Sequence, residues 1–591
     1  MVRRSTLVMV YALMVLPALG LSQQVPSDSV RLHQLFAQQW DYTMREYPEF
    51  ATSVGYPGQN ARWTDYSLEA IARRKRELND PLNALRTIDR AKLGPTDQLN
   101  YDLFRRNLTV ALEESRFPGE LMAITQLDGV QQDVPSTIAK MAAGSVPDYE
   151  AILARLRAVP VLVNQTIVLL QRGLASGITP PRITLRDVPS QAQDLVVDDP
   201  LTSPLLTAFM HVPAGVPAAE RERLHAAAVA AYRDSVAPAF RKLSAFLRDT
   251  YLPGARTTTG MRDLPNGLAW YQVRARASTT TDLTPDQIHA MGLAEVKRIR
   301  GAMDSVIAAS GFKGTFAEFV QFLRTDPRFY WTTPDDLMHA SRELMKRIDP
   351  ELTRLFGTLP RLPYGVSPIP SYSERSQTTA YYQPGSPLSH RAGTYFVNTY
   401  NLPARPKWEM EALSLHEAVP GHHLQIALAP ELEGVPEFRR FGGYTAFVEG
   451  WGLYSESLGE ELGLYTDPYS KFGQLTYEMW RAIRLVIDTG IHTMGWSRQQ
   501  AIDYFTANAA KTEHDITVEV DRYIVWPGQA LAYKIGELKI KELRAYAATT
   551  LGSRFDVRAF HDQVLGAGAV PLDVLDARIH AWVASLQGGA R

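Results

Sequence analysis

One pattern recurs along this chain more than any other: apolar residues return every three or four positions over long stretches, and proline and glycine interrupt them. That period is the signature of amphipathic helix. It runs through Val30 to Arg45, Tyr66 to Leu78, Thr96 to Glu114, Val146 to Leu174, Ala218 to Arg248, Pro285 to Ala309 and Pro334 to Phe356. The stretches 117–135, 179–204 and 359–391 hold turn formers and lack the helical period. No internal repeat, low-complexity run or charge block divides the sequence. The expected fold is therefore mainly α, with residues 23–591 forming one large helical catalytic domain.

A single short segment reads as strand. Gly393-Thr394-Tyr395-Phe396-Val397-Asn398-Thr399 is bounded by glycine and rich in aromatic and β-branched residues. A strand there either completes a small sheet or holds an extended substrate by strand addition, with Tyr395, Val397 and Asn398 as the substrate-binding candidates.

Composition removes several function classes. A formal charge of -1 gives no bulk attraction to nucleic acid or anionic lipid. The chain has no cysteine, so thiol nucleophiles, thiolate metal sites, disulfides and a lipidated cysteine are all excluded. No Gly-x-Ser-x-Gly elbow points to a serine hydrolase. Arg3 and Arg4 precede an apolar run from Leu7 to Leu16 and small residues at Ala18, Gly20 and Ser22. This is the layout of a cleaved export signal over residues 1–22, and it places the mature protein in the periplasm or outside the cell. No later segment reads as a membrane helix, so no membrane contact is expected after cleavage.

The chemistry concentrates at His416-Glu417-Ala418-Val419-Pro420-Gly421-His422-His423, which holds three of the thirteen histidines. Zinc takes neutral imidazole and carboxylate ligands, and a hydrolytic site adds a carboxylate that is a proton acceptor rather than a ligand. The usual arrangement is His-Glu-x-x-His on one helix. Here the fifth position is Pro420, which breaks a helix running from Trp408 to Gln425. If two residues loop out at the break, His416 and His422 recover a spacing of four. If the helix is unbroken, His423 lies two turns from His416 on the same face. The second ligand is thus His422 or His423, the other being a supporting residue.

A third ligand is sought on a neighbouring helix. Glu449 and Glu456 are seven residues apart among Phe447, Val448, Trp451, Leu453 and Tyr454, which implies a buried helix. Buried carboxylates require a metal or a cation. Glu449 is the candidate ligand, and Glu456 the residue that orients a ligand imidazole. Further on, polar and aromatic residues surround the Pro527-Gly528 break. Tyr533, Tyr523 and His514 are candidate donors to an oxyanion, and Arg522 and Lys534 candidate cations for a substrate carboxylate.

Three motifs occur together: His-Glu-Ala-x-Pro-Gly-His-His at 416–423, Glu-Gly-Trp-x-x-Tyr-x-Glu at 449–456 and Trp-Pro-Gly-Gln-Ala-Leu-Ala-Tyr-Lys-x-Gly at 526–536. In combination they resemble the bacterial family called domain of unknown function 885 over nearly all of the mature chain; Tyr381-Tyr382 and the strand at 393–399 fit as well. That family is in turn similar to the helical gluzincin peptidases, which include thimet-type oligopeptidases, Taq-type carboxypeptidases and angiotensin-converting enzyme. The resemblance implies two mostly helical halves around a central channel, with a small sheet beside the metal. It also implies one zinc ion on His416, His422 and Glu449, with Glu417 as the general base. The two-residue expansion at Val419-Pro420 departs from the gluzincin pattern.

The leading expectation is a zinc metallopeptidase acting on short peptides or related amides. A zinc hydrolase of acyl amino acid conjugates or esters, and a non-catalytic peptide-binding protein on a peptidase scaffold, are the alternatives. The sequence leaves oligomeric state open.

Overall fold

The computed structural model describes residues 26–588 apart from 371–373, 375–377 and 387–390. The export signal read at residues 1–22 lies outside the described residues. The fold is mainly α, with a three-stranded sheet among the described residues.

Helices begin where the sequence offers caps. Ser27 accepts from the Val30 amide, Thr284 and Gln287 form a capping box, and Asp467 accepts from the amides of Tyr469 and Ser470. The elements that matter for the site are α1 (Val146–Ser176), α2 (Pro285–Ala309), α3 (Met410–Glu417), α4 (His422–Leu428), α5 (Thr445–Ser457), α6 (Pro468–Thr493), α7 (Glu513–Val525) and α8 (Ala532–Leu551). The helical period over 218–248 resolves into Ala218–Ala231 and Ala237–Phe246, joined by a π-turn at Tyr232–Val236. Pro238 has no amide proton to continue the ladder, which accounts for the wider turn before it.

Two readings of the sequence are corrected. The helix α1 is long and apolar enough, by length and composition, to cross a membrane. Its Tyr149, Ile152, Leu153, Leu156, Val159 and Val163 instead fill a hydrophobic core shared with residues between Trp63 and Ala255. The irregular stretch 359–391 contains two strands, β1 (Tyr364–Pro368) and β2 (Ala380–Gln383), which flank β3 (Gly393–Val397). β1 runs parallel to β3 and β2 antiparallel to it. The strand expected at 393–399 is therefore the middle strand, and its backbone is committed on both sides. The edge strand on the pocket side is β2.

Helix α6 runs through the centre of the molecule. Its polar residues Gln474, Glu478, Arg481, Arg484, Asp488 and His492 are as buried as its apolar ones. Against it packs α2, and α5 crosses α8 at a pair of glycines. A Cβ on Gly450 would lie 2.5 Å from Gly536 Cα, and one on Gly536 would lie 1.8 Å from the Ala446 carbonyl oxygen. Only the absence of both side chains lets these helices meet backbone to backbone. That contact carries the N-terminal turn of α8, with Tyr533, toward the helix bearing Glu449.

Candidate metal centre

His416 ends its helix one residue before the break. Ala418 and Gly421 leave helical geometry (ψ -109° and -126°), the Val419-Pro420 bond is cis, and α4 restarts at His422. The loop-out brings the two imidazoles together, with ring centres 4.7 Å apart and planes at 85°. The Nε2 atoms of His416 and His422 each lie 3.5 Å from Glu449 Oε2. All three donors fall within 4.8 Å of one another. Ligands at zinc distances on a tetrahedral ion are separated by about 3.4 Å. The donor set and its spacing therefore fit one zinc ion.

Every residue of the 449–452 stretch has a task in this arrangement. Glu449 faces both imidazoles, and Gly450 permits the crossing with α8. Trp451 Nε1 donates to the Pro420 carbonyl at 2.8 Å, which pins the loop-out. Gly452 leaves room for the His416 ring, since a Cβ there would come within 2.8 Å of Cε1 and Nε2.

The far side of each imidazole is also held. His416 Nδ1 is 2.8 Å from Glu456 Oε1, and Glu456 is fully buried with Arg481 Nη2 at 3.4 Å. His422 Nδ1 is 3.0 Å from Gln425 Nε2, which donates to the Val448 carbonyl. Metal ligation through Nε2 requires the proton on Nδ1 and an acceptor facing it. Glu456 supplies one to His416; His422 Nδ1 faces the Gln425 amide nitrogen, which the Val448 carbonyl holds in place.

Charge in this cluster is strongly coupled. Burial works against a charged His416, but hydrogen bonds with Glu449 and Glu456 outweigh it and raise the imidazole to about 9. Burial also opposes ionisation of Glu449, yet the two imidazoles hold its carboxyl well below the usual range. The site attracts positive charge, whether protons or a metal ion. Glu417 behaves oppositely. Burial raises its carboxyl above the ordinary value, against the pull of His416 and His422.

These groups open into a cavity of about 290 Å³ lined by Thr378–Tyr382, Leu413, His416, Glu417, His422, Glu449, Glu519, Tyr533 and three arginines, Arg481, Arg484 and Arg522. Tyr533 lies with its ring near-parallel to His416 at 6.4 Å, and its hydroxyl accepts from Arg522 Nη2 at 2.9 Å.

Other residues singled out from sequence sit elsewhere. His423 turns toward the sheet, where its Nδ1 is 2.9 Å from the Tyr382 hydroxyl and its ring packs on Tyr364. Burial lowers it to about 4, so it is neutral. Tyr523 is buried behind the pocket wall, accepting from Trp480 Nε1 and Arg484 Nε. His514 is exposed on the first turn of α7, away from the cavity lining. Lys534 is fully buried among Glu295, Glu478 and Glu537 and does not reach the pocket. Tyr395 and Val397 point into the core, with the Tyr395 hydroxyl 3.2 Å from Ser414 Oγ. Asn398 holds loops, donating to the carbonyls of Glu374 and Thr378. None of the last three is offered to the metal pocket. Arg481 and Arg484 were not singled out from sequence; their spacing of three on a central helix is the signal that could have found them.

Comparison with known proteins gives family and fold. The model of a bacterial protein family of unknown function, DUF885, matches residues 48–579. A crystal structure of a proposed lipoprotein from Colwellia psychrerythraea is 28% identical, with a TM-score of 0.90 over 95% of this chain and 100% of that one. A proposed lipoprotein of unknown function from Shewanella oneidensis shares the fold at 17% identity, with a TM-score of 0.69 over 93% of this chain and 99% of that one. No protein with a curated description matches the chain.

Proposed function

The chain belongs to the bacterial DUF885 family, and we propose that it is a zinc-dependent hydrolase of short peptides or related amides, working outside the cytoplasm. The observation that carries this reading is the placement of His416 and His422 Nε2 at equal distance from one Glu449 oxygen, with Glu417 in the same cavity. A zinc ion bound there supplies a Lewis acid for the scissile carbonyl and acidifies water.

The chain's own residues do the rest. Glu417 takes the proton of the attacking water and returns it to the departing amine nitrogen. Burial holds its carboxyl above the ordinary carboxylate range, which makes the ionised group a stronger proton acceptor. The Tyr533 hydroxyl accepts from Arg522, so its own proton is free to meet the carbonyl oxygen as negative charge develops. The edge of β2 and residues 378–379 offer backbone groups along which an extended substrate aligns. The cavity volume suits a short substrate. A site outside the cytoplasm is supported by the descriptions of the Colwellia and Shewanella proteins as lipoproteins.

The test is zinc analysis of the purified protein with a panel of dipeptides and acyl amino acids. Stoichiometric zinc and turnover are expected, with Glu417→Gln losing at least about 100-fold in kcat while keeping its zinc. Protein that neither retains zinc nor cleaves any of the panel overturns the proposal.

A further inference from the structure

The wall facing the histidines is built from arginine. Arg481 and Arg484 come from α6 and Arg522 from α7, and all three line the cavity. Arg484 Nη2 lies 3.0 Å from Glu519 Oε2 and Arg522 Nη1 lies 3.3 Å from Glu519 Oε1. One carboxylate therefore serves two guanidinium groups, and the wall keeps a positive charge. Arg481 is directed to Glu456, which is already engaged by His416. The Arg484 side chain is 3% exposed and that of Arg481 is 6% exposed, yet Arg484 Nη1 and Arg481 Nε have no hydrogen-bond partner among the described residues. Unsatisfied guanidinium donors are expensive to bury in a folded protein.

The wall is also at a defined distance from the metal centre. The Tyr533 ring lies 6.4 Å from the His416 ring and 4.3 Å from the Arg484 guanidinium, and its hydroxyl meets Arg522 at 2.9 Å. An extended chain advances about 3.3–3.6 Å per residue. From a carbonyl at the histidines to these arginines is thus a reach of at most about three residues.

We propose that Arg484 and Arg522 form a subsite for a free substrate carboxylate, within about three residues of the bond that is hydrolysed. This rests on the hydrolase reading above and narrows it to peptides with a free C-terminus and to acyl amino acids. Guanidinium and carboxylate match in charge and in planar geometry. The aromatic faces of Tyr533 and Trp480 hold Arg484 in place.

The test is equilibrium binding of N-acetyl-Ala-Phe and its C-terminal amide to zinc-loaded Glu417→Gln protein, so that no turnover is needed. The free acid is expected to bind about 10- to 100-fold more tightly. In Arg484→Gln and Arg522→Gln made in the same background, the acid-to-amide ratio is expected to fall toward one. Equal affinities in the parent protein, or no binding of either ligand, overturn the subsite without any need for the arginine variants. A free-acid preference that persists in both variants assigns the carboxylate to the metal and overturns it too. Acid preference in the parent with no hydrolysis by wild type would instead retire the hydrolase reading and leave the subsite standing.

Discussion

Glu456 Oε1 sits 2.8 Å from His416 Nδ1, inside a helix–helix interface with no solvent access. The contact fixes which imidazole nitrogen is left for a ligand. Carboxylates placed behind ligating histidines set tautomer and basicity, and their loss typically lowers metal affinity 10- to 100-fold. Glu456→Gln is expected to raise the zinc dissociation constant by about that factor, measured by competition with a chelator. An unchanged constant would show that the contact is structural only.

Gly452 stands against the face of the same imidazole. The Gly452→Ala methyl would fall 2.8 Å from two ring atoms in a helix that cannot recede, because α8 is packed against its glycine neighbour. Overpacking of this kind costs about 1–3 kcal/mol. The expected result is a lower Tm together with loss of stoichiometric zinc. Retention of both would mean that the His416 ring moves aside without consequence.

The two adjacent histidines should separate cleanly. His422→Ala removes a group 3.5 Å from Glu449 and is expected to abolish zinc retention with little change in Tm. His423→Ala deletes a buried partner of Tyr382 and is expected to lower Tm while zinc stays bound. A reversed outcome in metal analysis would move the ligand assignment to His423.

A pH effect is expected away from the pocket, at Asp488. Burial raises its carboxyl from 3.8 to about 7, despite hydrogen bonds from the Tyr271 hydroxyl and the Gly528 amide. A carboxyl whose folded value is raised costs nothing below its unfolded value, and the penalty grows as pH climbs toward the folded one. Between pH 4 and 7 the wild type should therefore lose stability relative to Asp488→Asn, by up to about 4 kcal/mol. Denaturant titrations of both proteins at several pH values check this. A difference that does not change with pH would contradict it.

Much of this molecule is legible in its sequence. The helical period at 285–309 matches α2 end to end, and a proline inside a helix pattern was enough to place a break at 420. His416, Glu417, His422, Glu449 and Glu456 stand out by type and clustering; helical spacing puts Glu449 and Glu456 on one face, whereas His416 and His422 meet only through the break at Pro420. Other features are set by contacts between segments far apart in the chain. The stripe Gln474, Glu478, Arg481, Asp488 and His492 has the spacing of a solvated face; it is buried because α2, α5 and α7 close around it. No local pattern could place Lys534 in an acidic cage rather than in the pocket, or Tyr523 behind the wall and Tyr533 in front of it. Nor could it show that β3 is flanked on both sides, since pairing with β1 and β2 satisfies backbone groups that carry no residue signature. Residue type and period determined the helices and the candidate ligands. Tertiary packing decided which charged groups face the cavity, because a buried charge takes its position from its partners rather than from its neighbours in sequence.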